Sequence, residues 1–122
     1  MTANRVKMKP IILNSFSPNM LSQFPASVYF EEMPLDEVRK LYADAESRNK
    51  NPEPLPSAVG HADTAAVFSS ELSMTVPANR LNVSLTKGDR AIIGQYRGPR
   101  LPEGTTTLPE GATIMWLQVE VS

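Results

Sequence analysis

The sequence contains no cysteine and only one histidine, His61. The absence of cysteine excludes disulfide bonds, thiolate metal sites, iron–sulfur clusters and a cysteine nucleophile. With one imidazole per chain, a histidine-rich zinc site cannot form within a single chain. Carboxylates could still hold a metal ion. A catalytic step that requires an imidazole from this chain must use His61.

The chain also has little net charge and no long apolar run. Its formal net charge is −1, which argues against binding to duplex nucleic acid or to a membrane surface. No apolar run approaches the ~20 residues that a membrane-spanning helix needs. The apolar segment 11–13 is too short for the core of a signal peptide. We therefore expect a cytoplasmic protein that has no membrane partner.

The length and the order of periodic segments predict one domain of the α/β (α+β) class. Of the 122 residues, 41% are apolar, which is enough for one core. We expect residues 1–9 to form a flexible arm and residues 10–122 to form a single domain, with a mixed five-stranded sheet flanked by helices. The predicted strands are 11–13, 28–30, 80–86, 91–95 and 113–121, and the predicted helices are 18–24, 34–45 and one that follows residues 59–64 and ends near residue 73. Ser17, which directly precedes Pro18, is predicted to cap the first helix.

The most regular local pattern predicts a β-hairpin. Apolar residues alternate with polar ones over 80–86, a Lys-Gly-Asp turn follows at 87–89, and a second apolar segment returns over 91–95. The polar segment 47–57, which contains three prolines, is typical of a loop.

Several groups suited to an anion lie at turns and helix starts. His61 follows Gly60 at the start of a predicted helix, where unpaired backbone N–H groups bind phosphate oxygens well. A cluster of five bases and one acid occupies residues 80–100. The residues alone leave a second interpretation open, in which His61 caps the helix and the charged side chains only face solvent.

Five short motifs occur in the order found in a known protein family. They are a strand followed by Asn-Ser-Phe-Ser-Pro-Asn-Met-Leu over 11–21, Phe-Pro at 24–25, Val-Gly-His-Ala-Asp-Thr at 59–64, Asn-Arg at 79–80 and Arg-Leu-Pro-Glu-Gly at 100–104. The sequence from about residue 10 to 121 therefore resembles the viral ring nucleases, which act as type III anti-CRISPR proteins and degrade cyclic tetra-adenylate.

The resemblance implies a role for individual side chains. It makes His61 the general acid of phosphodiester cleavage and makes Arg100 and Glu103 further catalytic residues. A duplicate Leu-Pro-Glu-Gly leaves Glu110 as the alternative to Glu103. The implied ligand-binding residues are Asn14, Ser17, Thr64, Arg80 and Gln95.

The same resemblance implies a metal-independent phosphodiesterase that uses no other cofactor. The ribose 2′-OH of cyclic tetra-adenylate would attack the adjacent phosphate and give linear di-adenylates that end in 2′,3′-cyclic phosphate, which would suppress type III CRISPR immunity in the host cytoplasm. A two-fold homodimer would supply two copies of His61 to one ring. The alternatives are a module that binds a cyclic nucleotide without cleaving it and a protein-binding module of a mobile element.

Overall fold

The computed structural model describes residues 10–46 and 55–122. They form one α+β domain with a mixed sheet, which confirms the predicted class. The expectation of a flexible arm over 1–9, and most of the predicted loop over 47–57, lie outside the described residues. The elements are β1 (Ile11–Leu13), a 3-10 helix (Pro18–Met20), β2 (Val28–Met33), α1 (Leu35–Glu46), α2 (Ala62–Leu72), β3 (Arg90–Arg97) and β4 (Thr113–Val121).

The sheet has four strands in the order β1-β3-β4-β2, so the prediction of five strands is wrong by one. β1 and β3 are parallel, whereas β4 is antiparallel to both β3 and β2. The two central strands, β3 and β4, pair over eight residues each. β1 and β2 are the outer strands of this sheet.

The strand that is missing is the first strand of the predicted hairpin, 80–86. Residues 80–84 form no strand, and Leu85 makes only an isolated bridge with Leu21. The reason is that both edges of β3 are already occupied, one by β4 and the other by β1. The turn itself is confirmed, because Thr86 and Asp89 exchange hydrogen bonds of 2.8 and 2.9 Å across it. The turn therefore joins an irregular segment to β3 and does not close a hairpin.

The predicted helix over 18–24 is also wrong in length, since it is a single 3-10 turn. The predicted cap is confirmed: Ser17 Oγ accepts a hydrogen bond of 3.3 Å from the amide of Asn19. The helix stops because Leu85 takes the backbone groups that would extend it. Its amide donates to Met20 O at 2.6 Å, and its carbonyl accepts from Ser22 N at 2.9 Å.

The two faces of the sheet are covered in different ways. α1 and α2 contribute to the larger core cluster on one face, where the rings of Phe68 and Trp116 lie 5.0 Å apart between centroids. The opposite face carries a smaller cluster around Ile93 and Val119, against which Met20 and Val83 pack. In the described ranges, no helix is both long enough and apolar enough to cross a membrane.

Candidate functional site

Four chain segments run side by side and in the same direction towards one edge of the fold. β1 and β3 are parallel, Ile12 forms a parallel bridge with Ser57, and Val59 forms a parallel bridge with Ala78. The residues that end these segments therefore meet at one edge, which is the place where open α/β sheets bind ligands. The polar residues that reach this edge are Asn14, His61, Arg80 and Gln95.

An open cavity of about 440 Å³ lies at this edge. Three of the predicted site residues line it together, although they are far apart in the sequence: Asn14, His61 and Arg80. The cavity is also lined by residues that the sequence did not single out, namely Ser15, Met20, Ala58, Leu81 and Asn82. Leu81 and Asn82 were missed because the segment 80–86 read as a strand.

His61 occupies the N-cap position of α2 with extended backbone angles, φ −117° and ψ 130°. Its side chain is exposed and makes no capping hydrogen bond. The interpretation of His61 as a capping side chain is therefore wrong, and the imidazole is available to the cavity. The N-terminal end of a helix carries partial positive charge and outward-pointing amides, so this position favours an anion beside His61.

Arg80 lies directly against the residue that precedes His61. Its Nε donates to the carbonyl oxygen of Gly60 at 3.4 Å. Asn79 fixes this arrangement, because its amide donates to Val59 O at 2.7 Å and its side-chain nitrogen donates to Ser57 O at 2.9 Å. The guanidinium group is exposed and adds a positive charge to the helix end.

Three other predicted ligand contacts lie outside the cavity lining. Ser17 accepts the capping hydrogen bond of the 3-10 helix. Thr64 is half-buried in the first turn of α2. Gln95 is exposed near the end of β3. Because Leu13 pairs with Ile93, the residue after β1, Asn14, lies beside the end of β3 that carries Gln95.

Arg100 and Glu103 lie on the loop 98–112, which contains neither helix nor strand. Both side chains are exposed and neither lines the cavity. The same is true of Glu110, so the geometry does not choose between the two glutamates. Glu103 lies in a tight turn, because Thr105 N donates to Pro102 O at 3.1 Å.

A hydrogen bond connects this loop to the helix that carries the cavity. Asp63 Oδ1, in the first turn of α2, accepts from the amide of Gly104 at 3.2 Å. This bond connects Gly104, the residue after Glu103, to a helix position two residues after His61. Sequence reasoning missed this contact because 41 positions separate the partners. The available signals were an acid in a first helical turn and a glycine directly after Glu103.

The groups at this edge suit a phosphate better than a cation. The cavity lining includes one imidazole, one guanidinium and two carboxamides, and it lies beside the amides of a helix end. Within residues 10–46 and 55–122, no three His, Asp or Glu side chains cluster closely enough to hold a metal ion.

Burial shifts the pKa of a titratable group that lies elsewhere in the fold. The pKa of Tyr42 is raised well above its usual range by desolvation, with a smaller opposing effect of Arg90.

Two comparisons with known proteins found similar chains. A family model described as STIV B116-like matches residues 10–113. The solved structure of B116 of Sulfolobus turreted icosahedral virus (STIV) is similar with a TM-score of 0.72 and 26% sequence identity, covering 93% of this chain and 99% of that chain. A comparison with curated proteins gave no match. The matched residues include the whole cavity lining and the loop 98–112.

Proposed function

The chain belongs to the STIV B116-like family, which is named after a viral protein, and from that premise we propose that it is a metal-independent ring nuclease. Its substrate is cyclic tetra-adenylate, and its products are linear di-adenylates that end in 2′,3′-cyclic phosphate. Removal of this second messenger suppresses type III CRISPR immunity. The observation that carries the proposal is the cavity in which His61, Arg80 and Asn14 meet at the start of α2.

The size and polarity of the cavity support a nucleotide ligand. Its volume of about 440 Å³ lies in the range of small-molecule sites, about 300–1,000 Å³. A phosphate placed at the start of α2 receives hydrogen bonds from the helix amides and a charge-assisted contact from Arg80. Asn14 offers both a donor and an acceptor to the ribose or the base.

The chemistry needs few protein groups because RNA carries its own nucleophile. The 2′-oxygen forms a bond to the adjacent phosphorus, the bond from phosphorus to the 5′-oxygen breaks, and the 2′-proton passes to water. His61 donates a proton to the departing 5′-oxygen, an effect typically worth about 10²–10⁴ in rate. Arg80 and the helix amides stabilise the charge that develops on the phosphoryl oxygens.

The remaining predicted site residues act further from the His61 cavity. Arg100 and Glu103 are exposed on a loop whose turn is attached to the first turn of α2, and in the proposal they complete the active site from that loop. The ring contains four nucleotides and extends beyond the cavity. Its outer parts contact the flanking residues Ser17, Thr64 and Gln95.

The symmetry of the substrate supports a homodimer. A ring of four equivalent nucleotides presents phosphates on opposite sides, and a two-fold axis through the ring would bring one His61 from each protomer to them. Two cleavages then give two identical di-adenylates. One histidine from each of the two chains is therefore sufficient for the two cleavages.

The direct test is to incubate the purified protein with cyclic tri-, tetra- and hexa-adenylate, with and without EDTA, and to identify the products by chromatography. The proposal predicts linear di-adenylate with 2′,3′-cyclic phosphate from the tetra-adenylate ring, at the same rate in EDTA. Recovery of intact ring from a denatured complex would instead indicate a binding module that does not cleave. Absence of both binding and cleavage would contradict the proposal.

A further inference from the structure

Asp63 connects two parts of the site that are distant in the sequence. In the described parts of the chain, two side-chain hydrogen bonds join the loop 98–112 to residues outside it. Tyr96 donates to Pro99 O at 2.5 Å near the start of the loop, and Asp63 accepts from Gly104 N at 3.2 Å. The first bond spans three positions and the second spans 41. Asp63 therefore supplies the side-chain hydrogen bond that connects the far part of the loop to α2.

The carboxylate of Asp63 accepts a hydrogen bond from Gly104, which lies in the turn that carries Glu103. Gly104 has a φ of +84°, a conformation that suits glycine. Thr105 closes the turn with two bonds to Pro102 O, from its amide at 3.1 Å and from its hydroxyl at 2.6 Å. The turn is thus closed by its own hydrogen bonds, and the Gly104 amide connects it to Asp63 on α2.

A first-turn acid has an ordinary explanation, which is its attraction to the positive end of the helix dipole. Asp36 in α1 illustrates this case, because its contact is Arg39 of its own helix at 3.8 Å. Asp63 differs, because its carboxylate oxygen reaches the backbone of another segment. The helix dipole alone does not require that contact.

We infer that Asp63 is a positioning residue: its carboxylate holds the turn at Gly104 so that Arg100 and Glu103 are oriented towards the phosphate at His61. This inference rests on the proposed ring nuclease function. A loop that is oriented before the ring binds does not have to be ordered by the ring, so the apparent affinity is higher than that of a loop with many orientations.

The chain offers a conservative variant and a matched control. Asp63→Asn keeps a side-chain oxygen that can accept from Gly104, whereas Asp63→Ala removes the acceptor. Asp36→Ala removes a first-turn acid from α1 and leaves the loop untouched. We expect Asp63→Ala to raise KM for cyclic tetra-adenylate by about 3- to 10-fold, the effect of one hydrogen bond. We expect Asp63→Asn and Asp36→Ala to stay within about twofold of the unchanged chain, with thermal stability similar in all variants.

A second measurement does not depend on cleavage. Hydrogen exchange followed by mass spectrometry on peptides covering 101–112 reports the attachment of the loop directly. Faster exchange in Asp63→Ala, with the unchanged rate kept in Asp63→Asn, supports the positioning role together with the KM shift. Unchanged exchange in Asp63→Ala, or faster exchange without a change in KM, overturns it. If the unchanged chain cleaves no ring, the proposed function fails, whereas the exchange data still show whether Asp63 holds the loop.

Discussion

Arg80 contacts Gly60 in the lining of the cavity. The guanidinium Nε of Arg80 lies 3.4 Å from the Gly60 carbonyl oxygen, although 20 positions separate the two residues. A Cβ atom added to Gly60 would lie 3.3 Å from Arg80 Cγ. The absence of a side chain at Gly60 thus lets the arginine approach the start of α2, where His61 follows.

The first prediction concerns this contact. Gly60→Ala should displace Arg80 by a few tenths of an ångström and weaken binding of cyclic tetra-adenylate by about fivefold, equivalent to roughly 1 kcal/mol for one hydrogen bond. Isothermal titration with a variant that also carries His61→Ala, which keeps the ring intact, measures the affinity. In a chain that already carries Arg80→Ala, the same Gly60→Ala change should have no further effect. An equal loss in both backgrounds would show that Gly60 acts independently of Arg80.

The second prediction concerns the contact between α2 and the sheet. A Cβ atom added to Gly94 would lie 2.6 Å from Phe68 Cζ and 2.9 Å from Trp116 Cζ3. Both rings are buried and cannot move away. Gly94→Ala should therefore lower the free energy of unfolding by about 1–3 kcal/mol, measured by urea denaturation. Gly60→Ala is the matched control, since its new methyl group meets only an exposed arginine, and equal stability losses for the two variants would contradict this account.

The third prediction concerns pH and the buried phenol of Tyr42. Its hydroxyl donates to Pro10 O at 2.7 Å, and desolvation raises its pKa well above the usual range. The folded chain therefore keeps this proton above about pH 10, where the unfolded chain loses it. The stability that this group contributes is fully present below pH 10 and is lost as pH rises above it.

The variant Tyr42→Phe isolates this effect. At pH 7 it should cost about 1–3 kcal/mol, because the Pro10 carbonyl loses its partner. The difference between the two proteins should become smaller between pH 10 and 12, since only the unchanged chain loses the contribution of the phenol. Urea denaturation at pH 7 and pH 11 measures both differences. Equal differences at the two pH values would contradict a raised pKa for Tyr42.

The parts of the fold that local patterns determine were predictable from the sequence. The helical period predicted α1, the β-rich segments predicted β2 and β4, and Ser17 was identified as a cap from its position before Pro18. The prediction of a hairpin was wrong because the local alternation of apolar and polar residues does not reveal that β1 and β4 occupy both edges of β3. Which segments pair with β3 depends on the topology of the whole sheet, and residues 80–86 do not pair with it.

The same distinction applies to the candidate site. The position of His61 at a helix start follows from its neighbours in the sequence and was predicted. That Asn14, His61 and Arg80 share one cavity depends on the parallel bridges at Ile12 and Val59, which no local pattern encodes. The prediction that these three residues belong to one site came from the resemblance to the viral ring nucleases.

The measurement that tests the central claim most directly compares cleavage and binding in His61→Ala. The account predicts that single-turnover cleavage of cyclic tetra-adenylate falls by about 10²–10⁴, because the departing 5′-oxygen loses its proton donor. Because His61 makes no capping hydrogen bond, the fold and the affinity for the ring should change little, within about threefold. Cleavage at the unchanged rate by His61→Ala would contradict the account.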